Sequence, residues 1–179
     1  MSNLQTRIIT AIVLGAAALW LTWVGGLGFT LFSIAIGLAM FHEWTSLTAP
    51  KQTVFSRVFG WAGLVLTSVL LVMDRSALLT IGVLLVGTLI LLATQWRTGR
   101  GWPAAGLFYA GFSAVSLSLL RGDEPFGFTA IVFLFAVVWS TDIAAYFNGR
   151  ALGGPKLAPR FSPNKTWSGV CLLYTSLMA

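Results

Sequence analysis

Long runs without Asp, Glu, Lys or Arg dominate the pattern along this chain. The runs cover residues 8–42, 58–73, 76–96, 101–120 and 125–141. A helix needs about 20 apolar residues to cross a bilayer, so the first run is long enough to cross twice. Gly25, Gly26 and Gly28 lie near its middle, where a tight turn needs residues without side-chain hindrance. The pattern therefore predicts six helices, at 8–24, 27–41, 58–73, 77–93, 106–120 and 128–147.

The composition places the chain in the class of membrane proteins. Hydrophobic residues make up 57% of it and charged residues only 9%, whereas a soluble domain has about 25% charged residues. Backbone amides in hydrocarbon must be paired within the segment or within a closed barrel, and these runs lack the alternation of barrel strands. We therefore expect an all-α, polytopic integral membrane protein.

The distribution of basic residues predicts the orientation. With a cytoplasmic N-terminus, nine Lys and Arg residues fall on the cytoplasmic side, and the outer loops hold only Arg75 and Arg121. A basic face beside anionic lipid headgroups accounts for the net charge of +6. Nucleic acid is therefore not an expected partner. The inner residues are Arg7, Lys51, Arg57, Arg97, Arg100, Arg150, Lys156, Arg160 and Lys165.

Asp142 is the single charged residue between positions 125 and 149. A carboxylate at membrane depth costs a few kcal/mol even on the lenient insertion scale, so it usually faces a polar cavity or a partner. On a helix, Asp142, Tyr146 and Arg150 share one face, while Thr141, Ala145 and Gly149 form an adjacent stripe of small residues suited to close packing. The alternative is that Asp142 only pairs with Arg150 or with a cytoplasmic Lys.

The polar segment 148–169 follows directly and is rich in Gly, Pro and basic residues. Its glycines permit close backbone approach to a ligand, and its prolines stiffen the path. Its cations and hydroxyls suit phosphate binding, and a new helix is expected near Thr166, where free amides attract an anion. The alternative is an interfacial loop held by anionic lipid. The residues concerned are Gly149, Gly153, Gly154, Pro155, Pro159, Pro163, Lys156, Arg160, Lys165, Ser162 and Thr166.

Several motifs together resemble the central region of bacterial phosphatidate cytidylyltransferases, also called CDP-diacylglycerol synthases. They are Ser140-Thr-Asp-Ile-Ala-Ala-Tyr-Phe-Asn-Gly-Arg150, Gly154-Pro-Lys-Leu-Ala-Pro159 and Ser162-Pro-Asn-Lys-Thr-Trp-Ser-Gly169. Arg7-Ile-Ile-Thr-Ala and Glu43-Trp44 are also similar to that family. Ser168 departs from it, because Glu or Gln is expected there in many relatives, and this departure puts one polar contact of the segment in doubt.

The resemblance implies an enzyme that joins CTP to phosphatidic acid, giving CDP-diacylglycerol and pyrophosphate with Mg²⁺. It implies Asp142 and Lys165 as catalytic residues, with Asp142 also a metal ligand. The substrate-binding residues that it implies are Tyr146, Lys156, Arg160, Ser162, Asn164 and Thr166. It also implies a multi-pass protein of the bacterial inner membrane, and leaves a homodimer open.

Two further readings of the function stay open, a CTP-dependent lipid or polyprenol kinase and a non-catalytic membrane transporter or scaffold. The resemblance further implies a longer protein with additional carboxylates beyond residue 170, so we expect this chain to be an incomplete fragment. Cys171-Leu-Leu-Tyr-Thr-Ser176 reads like a translated sequencing adapter. We interpret residues 171–179 as a junction artefact, with a genuine seventh helix as the alternative.

Overall fold

The computed structural model describes residues 3–48, 53–96, 101–158 and 162–170. Arg160 and the suspected junction at 171–179 therefore lie outside the described residues. Six helices are present in the described part: α1 Asn3–Val24, α2 Gly26–Thr48, α3 Val54–Val72, α4 Ala77–Gln95, α5 Trp102–Arg121 and α6 Pro125–Leu152. Five of them, α2 to α6, are long and apolar enough to span a membrane, whereas the apolar part of α1, Ile9–Val24, is shorter. The predicted all-α polytopic fold is confirmed.

All six helices are longer than the predicted ones. α2 continues seven residues past the predicted end at 41, and α5 begins at Trp102, four residues before the predicted start. A helical hydrogen bond needs only a backbone donor and acceptor, so a helix continues into polar flanks where the hydropathy pattern has already ended. The sequence therefore predicted the positions of the helices correctly, but the predicted helices were too short.

The chain divides into two compact units, Met1–Ile131 and Val132–Ala179, which we call the N-terminal and the C-terminal unit. In the N-terminal unit, α5 packs against α2, α3 and α4. Small residues allow this close approach, since a Cβ added to Gly37 would lie 2.9 Å from the Cβ of Ala114, and one added to Gly111 would lie 2.5 Å from Leu84. Small side chains at crossings are typical of membrane helices, whose backbones pack closely there.

The α1–α2 turn consists of glycines in the left-handed region. Gly25 has φ +67° and Gly26 has φ +50°, a conformation that costs an L residue roughly 1–2 kcal/mol. This confirms the turn that the sequence predicted in the middle of the first apolar run. Gly28, the third residue of α2, has no positive φ and is not part of the turn.

Arg121, the last residue of α5, contacts the chain at the same turn. Its side chain is only 9% exposed. Nε donates to the Thr22 carbonyl at 2.6 Å, Nη2 to the Trp23 carbonyl at 3.3 Å and Nη1 to the Gly122 carbonyl at 3.0 Å. The sequence predicted that α5 ends at residue 120 and that Arg121 lies in an outer loop. In the structure Arg121 is the last residue of α5, and its guanidinium satisfies carbonyls that the end of α1 leaves unpaired.

The C-terminal unit contains most of α6, a β-hairpin and the start of a further helix. Strands β1 Lys156–Ala158 and β2 Ser162–Thr166 are antiparallel, with Lys156 opposite Thr166 and Ala158 opposite Ser162. Residues 167–170 are helical, as expected for a helix that begins near Thr166. Segment 148–169 is therefore not a continuous loop, because α6 runs on to Leu152 and a hairpin follows it.

Candidate functional site

A polar stripe runs along the last three turns of α6. Asp142, Tyr146 and Arg150 follow one another at four-residue spacing, and all three side chains are exposed. Nη1 of Arg150 donates to the Tyr146 hydroxyl at 3.1 Å. The carboxylate of Asp142 makes no hydrogen bond or ion pair with any group that the structure describes. The alternative in which Asp142 pairs with Arg150 is therefore not what the structure shows.

The neighbouring stripe of α6 makes a close helix contact. A Cβ added to Gly149 would lie 2.7 Å from Oγ1 of Thr166, and one added to Gly169 would lie 2.8 Å from the Ala145 carbonyl oxygen. The expected close packing is thus present at Ala145 and Gly149. It fixes the start of the following helix against the face of α6 adjacent to the polar stripe.

Two further glycines shape the exit from α6. Gly153 has φ +61° and Gly154 has φ +103°, so both adopt conformations that L residues rarely take. The sequence predicted that these glycines, together with Gly149, admit a ligand close to the backbone. In the structure Gly153 and Gly154 turn the chain from helix into hairpin, and Gly149 makes room for Thr166.

The hydroxyls of Thr166 and Ser168 join the two ends of the hairpin segment. Thr166 is 6% exposed. Its Oγ1 lies 3.0 Å from Oγ of Ser168 and 3.4 Å from the Gly169 amide nitrogen, which donates to it. Ser168 donates to the Gly153 carbonyl, and the Trp167 amide donates to the Pro155 carbonyl at 3.1 Å. Ser168 therefore makes a polar contact of its own in place of the contact that the sequence left in doubt.

The hairpin brings most of the expected phosphate-binding positions together. Lys156 is exposed and lies opposite Thr166, the residue after Lys165, so the two lysines are backbone neighbours across the hairpin. Ser162, Asn164 and Lys165 belong to β2. Arg160 falls between the strands, outside the described residues. Lys156 and Lys165 therefore lie on one short hairpin that follows the helix of Asp142, whereas Arg150 belongs to that helix.

The described residues contain no cluster of three or more His, Cys, Asp and Glu side chains that could hold a metal ion. Asp142 offers one carboxylate. Mg²⁺ is commonly held by one or two carboxylates together with substrate phosphates and water. Asp142 therefore fits one ligand position of such an ion, and the described part of the chain does not form a metal cage by itself.

Comparisons with known proteins agree with these motifs. Residues 5–177 match the model of the cytidylyltransferase family. The chain is 83% identical over 169 residues to the phosphatidate cytidylyltransferase of Brucella suis biovar 1 (strain 1330), covering 94% of this chain and 63% of the relative. It is 30% identical to the enzyme of that name from Bacillus subtilis (strain 168), over 94% of this chain and 66% of the relative.

The relative from Pseudomonas aeruginosa, also a phosphatidate cytidylyltransferase, is 34% identical, over 93% of this chain and 65% of that protein. The chain thus spans somewhat less than two thirds of the length of these curated relatives. No solved structure matches it.

Proposed function

Because the chain belongs to the cytidylyltransferase family, we propose that it is the part of a phosphatidate cytidylyltransferase that holds the triphosphate of CTP. The observation that carries this proposal is the juxtaposition in the C-terminal unit. Asp142, a carboxylate without a partner among the described residues, lies on a membrane-spanning helix whose next element is a hairpin bearing Lys156 and Lys165. Such an arrangement suits a substrate that combines a nucleotide with a lipid.

The reaction requires an oxygen of the phosphatidic acid phosphate to attack the α-phosphorus of CTP. The new P–O bond forms as the bond from the α-phosphorus to the oxygen bridging to the β-phosphate breaks, and pyrophosphate leaves with that bonding pair. Negative charge develops on the phosphoryl oxygens, so fixed cations and donors lower the barrier. In this proposal Lys165 acts on the reacting phosphate, and the substrates are bound by Tyr146, Lys156, Arg160, Ser162 and Asn164. The hydroxyl of Thr166, for which the resemblance implied binding as well, is engaged with Ser168 and Gly169.

We also propose that the reaction uses Mg²⁺. The ion would neutralise phosphate charge, and Asp142 would supply one oxygen ligand while the substrate phosphates supply others. This role is supported by the absence of any partner for the Asp142 carboxylate among the described residues. The second role proposed for it is to orient Lys165 toward the substrate.

The described chain is a multi-pass membrane protein. We propose the inner membrane of a bacterium as its location, since the relatives named above are bacterial and CTP is a cytoplasmic nucleotide. The asymmetry of Lys and Arg along the chain supports a cytoplasmic position for the hairpin. A homodimer is compatible with this arrangement and awaits a measurement of mass in detergent.

Product analysis tests the proposed reaction. Membranes containing the complete protein are incubated with phosphatidic acid, Mg²⁺ and CTP labelled either at the α- or at the γ-phosphate. We expect the α-label in a lipid product and the γ-label in pyrophosphate. A γ-label in the lipid and release of CDP would instead identify a lipid kinase, and no transfer of either label would favour a transporter or scaffold.

Substitution of Lys165 tests the site. We expect Lys165→Ala to lower turnover by about a hundredfold or more, the loss typical of removing one charge-stabilising donor. Arg75→Ala is the control, because this exposed cation lies in the N-terminal unit, in the connection between α3 and α4. Equal activity of the two variants would contradict the assignment of Lys165.

A further inference from the structure

The hydroxyl groups of Thr166 and Ser168 form linked hydrogen bonds, and the number of protons available fixes the direction of each bond. Each hydroxyl has one proton, and the proton of Ser168 is directed to the Gly153 carbonyl. The bond between the two hydroxyls must then use the proton of Thr166, with Oγ of Ser168 accepting it. Oγ1 of Thr166 in turn accepts from the Gly169 amide. The result is one continuous chain of bonds from Gly169 through both hydroxyls to Gly153.

This chain of bonds closes the segment that carries the lysines. Ser168 and Gly153 are fifteen residues apart in sequence, and Lys156 and Lys165 lie between them. The Trp167 amide closes the same segment a second time by donating to the Pro155 carbonyl. The hairpin is thus held at its base by side-chain and backbone bonds, independently of its own strand pairing.

The same residues attach the hairpin to α6. Thr166 is almost fully buried and lies where a Cβ on Gly149 would be only 2.7 Å from its hydroxyl. Gly149 follows Asp142 by seven residues, which is two helical turns, or about 10 Å, along α6. Thr166 therefore fixes the position along α6, two turns beyond Asp142, at which the strand carrying Lys165 ends.

We propose that Thr166 and Ser168 are positioning residues, whose linked hydroxyls hold the lysine-bearing hairpin in the geometry that grips the triphosphate. The proposal rests on the function proposed above and refines it. Thr166 acts through the hairpin backbone and does not donate to a phosphate, because its only proton already goes to Ser168. Ser168 gains a role that the sequence did not give it.

Steady-state kinetics on the complete protein tests the proposal with four variants. Thr166→Val and Ser168→Ala each remove one hydroxyl at nearly constant volume, whereas Thr166→Ser and Ser168→Thr keep it. We expect the first two to lower kcat/KM for CTP about tenfold, with much of the loss in KM, because misplaced binding groups cost both binding and rate. The two conservative variants should stay within about threefold of the parent.

Amide hydrogen exchange gives a readout that does not depend on catalysis. Exchange at Trp167 and in residues 156–158 should be slow in the parent and accelerate at least tenfold in Ser168→Ala, while exchange in α5 stays unchanged. Parent-like kinetics and exchange in both hydroxyl-deleting variants would overturn the proposal. Loss of kcat alone in Thr166→Val, with KM and exchange unchanged, would overturn it in favour of direct contact between Thr166 and substrate.

The two proposals fail in different ways. If the parent protein forms no CDP-diacylglycerol, the proposed function fails. Slow exchange at Trp167 that depends on Ser168 would still support the hydroxyl link, and exchange that is independent of Ser168 would refute it.

Discussion

Arg121 and Asp142 are both charged residues in helical segments of a membrane protein, and they have opposite surroundings. Arg121 is buried, and three of its N–H groups donate to carbonyls, two of them at the end of α1. Asp142 is exposed and has no polar partner among the described residues. The cation is used entirely within the fold, whereas the carboxylate remains available to a ligand, an ion or water.

The difference separates a structural charge from a candidate functional one. A guanidinium at a helix C-terminus is favoured by the helix dipole and supplies donors that the last carbonyls lack. A carboxylate without donors in an apolar helix gains nothing from the fold and costs insertion energy. We therefore expect substitutions of Arg121 to affect stability, and substitutions of Asp142 to affect activity.

The largest effect is expected from Asp142→Asn. This change keeps the size of the side chain and removes its charge, so turnover of CTP by the complete protein should fall at least a hundredfold. The melting temperature in detergent should stay within about two degrees, because no described contact is lost. Asp123→Asn is the matched control, since Asp123 is an exposed carboxylate in the N-terminal unit, and it should leave both quantities unchanged. A large loss of stability in Asp142→Asn would break the comparison.

Arg121→Leu should have the next largest effect, and on stability. It leaves the carbonyls of Thr22 and Trp23 without their donor, and each unsatisfied buried group costs about 1–3 kcal/mol. We expect a loss of about 2–4 kcal/mol in the free energy of unfolding in detergent. Arg75→Leu, at an exposed arginine, should change it by less than about 0.5 kcal/mol. Turnover per folded molecule should be the same in both variants and in the parent.

A smaller loss is expected from Gly25→Ala. The methyl group would lie 2.5 Å from Nη2 of Arg121, and the residue would keep φ +67°, so we expect about 1–3 kcal/mol. Gly28→Ala is a matched control three residues away. Its methyl would meet Val24 and Leu21 at 3.7 and 3.8 Å, which is ordinary contact, and it should be neutral or slightly stabilising. Similar melting temperatures for the two variants would contradict the guanidinium–turn contact.

The sequence predicted the helices because their apolar runs are a property of neighbouring residues. It also predicted the glycine turn at Gly25 and Gly26, since this turn interrupts a run that is too long for one crossing. The burial of Arg121 was not predictable in this way. Its first acceptor, the Thr22 carbonyl, is 99 residues away, and a backbone carbonyl carries no sequence signal.

The candidate site was predicted in part, for a similar reason. The four-residue spacing of Asp142, Tyr146 and Arg150 is local and indicated a common face. The hairpin was missed, because prolines at 155, 159 and 163 argue against strands, and such residues are tolerated only at edges and ends. The link through Ser168 was missed as well, since its acceptor is the Gly153 backbone, although Thr166 before a predicted helix was a usable signal for a cap.

The smallest effect is expected from Tyr146→Phe. This change removes the hydroxyl that Arg150 contacts, so it tests whether the fold holds Arg150 as it holds Arg121. Arg150 donates to a single neutral hydroxyl on a side chain that is 60% exposed. Loss of this hydrogen bond should change the free energy of unfolding by less than about 0.5 kcal/mol. Because Tyr146 is a proposed substrate-binding residue, KM should rise a few fold for CTP or for phosphatidic acid, with stability unchanged. A loss of stability as large as that of Arg121→Leu would mean that the fold holds Arg150 as it holds Arg121. Tyr146 and Arg150 would then be structural residues, and Asp142 would be the one member of the polar stripe left with a functional assignment.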